Sequence, residues 1–294
     1  MKKIKQKGLG YLFLVPSILA FAIFMFYPMV QTIYLSFFDW NLVSPTKKFV
    51  GLDNYIHFFT NPNTWKIMKN TILYIVILLV INLVLPYILS FILSVIIKKG
   101  KSFYKAAFFL PSVISLVVGS ILYTWILNPV SGPVAIICRA FGVTIPIWSK
   151  TEGWVIAVLC IITSWKAFGY NFIVILGGIS GVSQEVIEAA RLDGVSMVRI
   201  FTDIIIPMSS ATGIYAFIYT IVQGLQYVYT PIKVITQGGP NYASSNLIYM
   251  AYHEAFTLYR TGMSSATAVV TVAIFMVLLI LEFKFVEKGV YYEN

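Results

Sequence analysis

Charge is scarce in this chain. Of its 294 residues only 11% are charged, against about 25% in soluble globular domains, while 59% are hydrophobic and the mean hydropathy is +0.85. A water-soluble fold of this composition would expose large apolar patches, so the chain is expected to be all-α and integral to a membrane. Acidic residues are the scarcest: eleven in all, and none deep in an apolar run, with Glu282 at the inner end of the last run coming nearest. Ion-coupled transporters usually hold a carboxylate at mid-membrane, and that group is missing. No G-x-x-x-x-G-K-[ST] stretch is present, so the chain carries no ATP site of its own. Cys138 and Cys160 lie far apart and match no disulfide or metal framework. His253 and Glu254 are adjacent but have no second His or Cys at ligand spacing, so no zinc site is expected. No nucleophile–base set stands out either. Neither catalytic residues, metal nor cofactor are expected in this chain, and it does not read as an enzyme. Its net charge of +10 comes from basic residues at the edges of apolar runs, not from one basic face, which argues against nucleic acid.

What is present are apolar runs long enough to cross a bilayer, which takes about 20 residues as a helix. Six are found, at 10–37, 71–97, 105–127, 154–179, 208–230 and 263–283. Pro28 and Pro86 fall inside two of them, where kinks are tolerated. The basic N-terminus followed by an apolar run has the look of a signal peptide. The run is too long and lacks a small-x-small cleavage site, so a retained first span is expected. Lys2, Lys3, Lys5 and Lys7 flank the first span, and Lys98, Lys99, Lys101 and Lys105 lie between the second and third. Such clusters favour the cytoplasmic side, which predicts six spans with both termini inside. Loops are too short for separate domains and no internal repeat is visible, so residues 1–294 read as a single transmembrane domain.

The connection at 180–207 is unlike the other loops. Ser183 can cap a helix that begins at Gln184, with Glu185 in its positive first turn. Ile187, Ala190 and Arg191 share one side, and Ala189 and Ala190 are small enough for a partner to approach the backbone. Gly194 suits the left-handed residue past a helix end. Ser196 can cap a second helix, and Pro207 marks the start of the next span. On these residues alone the segment is either an amphipathic loop lying on the headgroups or a cytoplasmic docking element.

Glu188-Ala189-Ala190, then Gly194 after three residues, then Ile204-x-Ile206-Pro207 after nine, resembles the EAA motif of binding-protein-dependent ABC-importer permeases. Asp193-Gly194 and Phe201 are similar to the carbohydrate-uptake branch of that family, as are Phe49 to Tyr55, Asn70-Thr71, Gly238-Gly239-Pro240 and Leu247-Ile248-Tyr249. The likeness is to the maltose-type and glycerol-3-phosphate-type permeases and covers nearly the whole chain. Gln184, Val195 and Ile206 depart from the common residues. The resemblance implies that Glu188, Ala189, Ala190, Asp193, Gly194, Phe201 and Pro207 couple to a separate ATPase, which binds the ATP and magnesium. It also implies a second homologous permease, two ATPase subunits, an external solute-binding protein and a multi-pass location in the cell membrane.

A substrate path is sought among polar residues inside the spans. Lys166, Tyr170 and Asn171 cluster midway along the fourth. Lys166 lies too deep to reach water easily, so it should face a cavity or a polar partner. The fifth span carries Tyr215, Tyr219, Gln223 and Tyr227 at four-residue steps, with Gln226 beside them. Aromatic faces suit sugar C–H surfaces and amides suit hydroxyls, but the same residues serve equally as interhelical hydrogen bonds or an interfacial belt. Asn82 reads as packing. A secondary, ion-coupled transporter is the second reading and a membrane scaffold the third.

Overall fold

The computed structural model describes residues 13–285. The N-terminal lysines, residues 10–12 of the first expected span, Glu287, Lys288 and Glu293 lie outside the described residues. The described chain is mostly helical. Four helices are long and apolar enough to cross a membrane: α1 (Phe13–Leu35), α3 (Pro62–Ile96), α7 (Trp154–Ser180) and α12 (Thr261–Phe285). Two bent pairs raise the number to six if each pair is one crossing: α4 (Lys101–Val113) with α5 (Leu116–Ile126), turned by 100°, and α9 (Met197–Met208) with α10 (Ser210–Thr236), turned by 81°. Short helices α2 (Asp53–Thr60), α6 (Pro133–Ala140), α8 (Gln184–Leu192) and α11 (Leu247–Phe256) complete the set.

The sequence anticipates a continuous third span, and here the structure corrects it. Residues 105–127 are two helices broken at Ile114 and Ser115. The fifth helix starts after Ser209 and runs on to Thr236, beyond the expected end at 230. π-helical turns at Ala22–Phe26, Val80–Val84 and Ile200–Ile205 precede Pro28, Pro86 and Pro207. Widening the turn accommodates a residue that lacks an N–H and clashes with the preceding turn, so α1 and α3 carry on past Pro28 and Pro86.

The chain gathers into two compact units. One comprises residues up to Asn61 together with Met250–Val272. In it, a two-stranded hairpin, β1 (Phe38–Asp39) and β2 (Lys48–Phe49), pairs antiparallel after α1. Asn54 Nδ2 donates to the carbonyls of Ser36 (2.8 Å) and Phe38 (3.0 Å), and Ser36 and Tyr55 share a hydroxyl–hydroxyl bond of 2.6 Å. The Phe49–Tyr55 motif is thus the staple that turns the chain from α1 into α2. The Thr261 N–H donates to the Trp40 carbonyl at 2.9 Å, tying the start of α12 to the same turn.

The second unit, Pro62–Tyr249 with Ala273 onward, is built around α7, which packs on α3, α4, α5 and α10. Small and hydroxylated residues let helices approach closely in a membrane, where apolar area alone gives no drive to associate. On α7 these are Thr163, Ser164, Ala167 and Gly169, all buried. Cross-helix hydrogen bonds supply the directionality: Asn82 Nδ2 donates to Ser164 Oγ (2.9 Å), and Asn171 Nδ2 to the Asn82 carbonyl (2.5 Å) and Thr220 Oγ1 (2.7 Å). At the other end of α3, Asn70 donates to the Tyr242 carbonyl (2.9 Å). The Leu247 N–H donates to Thr71 Oγ1 (3.1 Å) and Tyr74 to the Ser244 carbonyl (2.8 Å). The Asn70-Thr71 stretch and residues 242–247, far apart in sequence, therefore form one joint.

Candidate functional site

The segment after α7 folds as its caps dictate. Ser183 Oγ accepts from the Glu185 N–H at 3.3 Å and starts α8; Ser196 Oγ accepts from the Arg199 N–H at 3.4 Å and starts α9. Gly194, between them, has φ +75°, a left-handed conformation that a side chain strains. Ile187 and Ala190 are buried in a cluster with Tyr87, Phe91, Ile175, Ile179, Ile200 and Ile205. Arg191 Nη2 donates to the Val95 carbonyl at the end of α3, 2.9 Å away. The side formed by Ile187, Ala190 and Arg191 seats the segment on its own bundle.

That seating divides the expected coupling residues. Glu188, Ala189, Asp193, Gly194 and Pro207 are exposed. Ala190 is buried against the bundle and is not open to a partner, which corrects the reading of Ala189 and Ala190 as one accessible pair. Phe201 turns inward as well, its ring 5.1 Å from Phe91 and 6.4 Å from Tyr87. The outer surface is amphipathic: Gln184 donates to Glu188 at 3.2 Å, while Leu192 is 89% exposed and Val198 71%. Behind it, Leu83, Tyr87, Phe201, Ile206, Gly213 and Phe217 help line an apolar cavity of about 670 Å³. The sequence did not reveal this hollow, because its walls come from α3, α9 and α10.

The expected path residues separate in the same way. Tyr170 of α7 meets α10: its hydroxyl is 2.8 Å from that of Tyr215, and its ring lies 4.5 Å from that of Tyr219. Tyr215 and Tyr219 stack at 6.0 Å. Gln223, half-buried, and Gln226, exposed, follow along the same helix, and neither amide has a hydrogen-bond partner among the described residues. Tyr227 packs against the cluster of Leu116, Trp148, Val158 and Ile162. Asn171, next to Tyr170 in sequence, meets α10 as well, but through Thr220. It is buried and bonded to α3 and α10, so it closes a helix contact. Asn82 is buried with it, as the sequence suggests.

Lys166 has the polar partner its depth demands, and that partner is backbone. Its Nζ donates to the carbonyls of Ser112 and Ile114, each at 2.7 Å, at the break between α4 and α5. Sequence reasoning missed this break; the local signal is Pro111, three residues before Ile114. Within the described residues no group of three or more His, Cys, Asp or Glu could hold a metal ion.

Comparison with known proteins adds four findings. The family described as binding-protein-dependent transport system inner membrane component matches residues 108–289. A probable ABC transporter permease protein, YurN of Bacillus subtilis (strain 168), is 32% identical, covering 97% of this chain and 98% of that protein. The sn-glycerol-3-phosphate transport system permease protein UgpA of Brucella abortus biovar 1 (strain 9-941) is 29% identical, covering 98% and 97%. Among solved structures, a chain of a bacterial ABC transporter involved in the import of the acidic polysaccharide alginate superposes with a TM-score of 0.81 at 20% identity, covering 98% of both chains.

Proposed function

This chain belongs to the family of binding-protein-dependent transport system inner membrane components, and from that membership we propose that it carries a sugar or sugar-like solute into the cytoplasm as the permease subunit of an ABC importer. Glycerol-3-phosphate is included in that class. The solute comes from an external binding protein. The path is shared with a second, homologous permease, and the work comes from two ATPase subunits that contact the 180–207 segment. With each bent pair counted as one crossing there are six spans, and the lysine clusters put both termini and the 180–207 segment in the cytoplasm.

The observation that carries this reading is the outer surface of α8 and its flanks. This charged segment leaves Leu192 and Val198 uncovered beside Glu188, although Ile187 and Ala190 on its other side are buried. An exposed apolar residue on a capped, rigid element is what an ATPase groove would receive. The solute path is the α7–α10 face of Tyr170, Tyr215, Tyr219, Gln223 and Gln226, with aromatic faces for sugar rings and unpaired amides for hydroxyls. Absence of a mid-span carboxylate leaves ion coupling without its usual group.

The test is to express Glu188→Lys and Gly194→Val at native levels and measure ATPase copurification and uptake. Both variants should insert normally, lose the ATPase from the purified complex and lose uptake. Reversed charge would repel the partner, and a β-branched residue at φ +75° would distort the turn. Normal copurification and uptake in both would sink the docking assignment.

A further inference from the structure

We propose that Lys166 is a positioning residue that fixes the break in the third membrane segment, its ammonium replacing the backbone donors which the break removes. In an unbroken helix each carbonyl accepts from the N–H four residues on. Here α4 ends at Val113, the axis turns by 100°, and the first backbone bond of α5 runs from the Gly119 N–H to the Ser115 carbonyl. The carbonyls of Ser112 and Ile114 lie at the turn. Within a bilayer such groups must be satisfied by protein, and Lys166 Nζ donates to both at 2.7 Å.

Two neighbours on α7 hold the arms on either side. Gly169, nearly one turn on, lies against the backbone of α4: a Cβ there would run into the Phe108 carbonyl and come within 2.8 Å of the Phe109 Cα. Trp165 lies against α5, 3.0 Å from where a Cβ on Gly119 would stand, with its ring 5.5 Å from that of Tyr123. Residues 165, 166 and 169 of one helix thus hold the second arm, the turn and the first arm. Packing can hold the arms, but only a donor can serve the turn. A lysine suits the task because its apolar stem runs along the helix surface and its head offers three donors free to rotate. The ion pairs among the described residues join Lys66 to Glu152 and Arg260 to Glu254. A mid-span charge therefore does its work here on carbonyl dipoles, without an acid. Tyr170 is one turn further along the same face of α7, so the clamp also ties the bent segment to the helix that presents Tyr170 to Tyr215 and Tyr219. The third segment is then a fixed bend that moves with the fourth span, not a free hinge.

This inference does not depend on the solute, and it is tested on the full chain in lipid nanodiscs with Cys138 and Cys160 changed to alanine. Spin labels at Phe103 and Val118, both exposed on the two arms, report the inter-arm distance. A second pair at Ile72 and Ile161, exposed on α3 and α7, reports the bundle. In the native protein and in Lys166→Arg the arm pair should give the same single distribution, because the guanidinium keeps its donors. Lys166→Met keeps the stem and removes the donors, and should shift or broaden the arm distribution while leaving the bundle pair unchanged. An unaltered arm distribution in Lys166→Met, or no recovery with arginine, overturns the assignment. So does movement of both pairs together, which would make the lysine a general stabiliser. If Lys166→Met does not accumulate, Lys166→Leu, which likewise has no donor, is read by the same outcomes.

Discussion

At the scale of single residues, neighbours in sequence do unlike jobs because a helix turns each to a different side. Tyr170 and Asn171 are adjacent, yet one stacks on the tyrosines of α10 and the other closes the α3–α7–α10 contact. Their substitution should separate path from packing. Gln223→Ala and Gln226→Ala should each lower uptake by about 2- to 13-fold without loss of the ATPases, since a hydrogen bond is worth roughly 0.5–1.5 kcal/mol. The double variant should be worse than either. Asn171→Ala should instead lower stability by about 1–3 kcal/mol, because it strips a buried carbonyl and a hydroxyl of their donor, and uptake per folded molecule should hold. Melting curves beside normalised transport read both. Unchanged normalised uptake in the two glutamine variants would remove them from the path.

At the scale of elements, the short helices α8 and α9 are fully specified by local chemistry. A serine at each start is worth about 1 kcal/mol, and the glycine between them sets the turn. The elements fix topology in turn: the 180–207 segment rests on the α3 end that leads to Lys98 and Lys99, through Arg191 and the Val95 carbonyl. Both must therefore lie on the same side of the membrane. A cysteine at Ser196 should react with an impermeant thiol reagent only from the cytoplasm, and one at Asn241 only from outside. The opposite pattern would overturn the orientation and with it the ATPase contact.

At the scale of the whole molecule, much apolar surface has no partner among the described residues. No residue of α1 from Phe13 to Val30 is buried, and large side chains on α5 and α12 are exposed too. Some of that surface meets lipid. A multi-subunit importer would cover part of it, and anything that binds only the folded chain raises its apparent stability. Coexpression with the homologous permease and the ATPase should raise the melting temperature of this chain in detergent above that of the chain alone. Equal melting temperatures would count against a shared permease surface.

Sequence alone determined what depends on composition and local order. The scarcity of charge placed the chain in a membrane, run lengths placed α1, α3, α7 and α12, and the spacing of Ser183, Gly194 and Ser196 marked out α8 and α9. Those signals act over a few residues, so a linear reading captures them. Tertiary structure decided what depends on which side of a helix meets what. It broke the third span at Ile114–Ser115, turned Ala190, Phe201 and Asn171 inward, and gave Lys166 its carbonyl partners. A break in a membrane helix survives only if another helix satisfies its freed carbonyls. The donor for Ser112 and Ile114 lies more than fifty residues away, where no local pattern points to it.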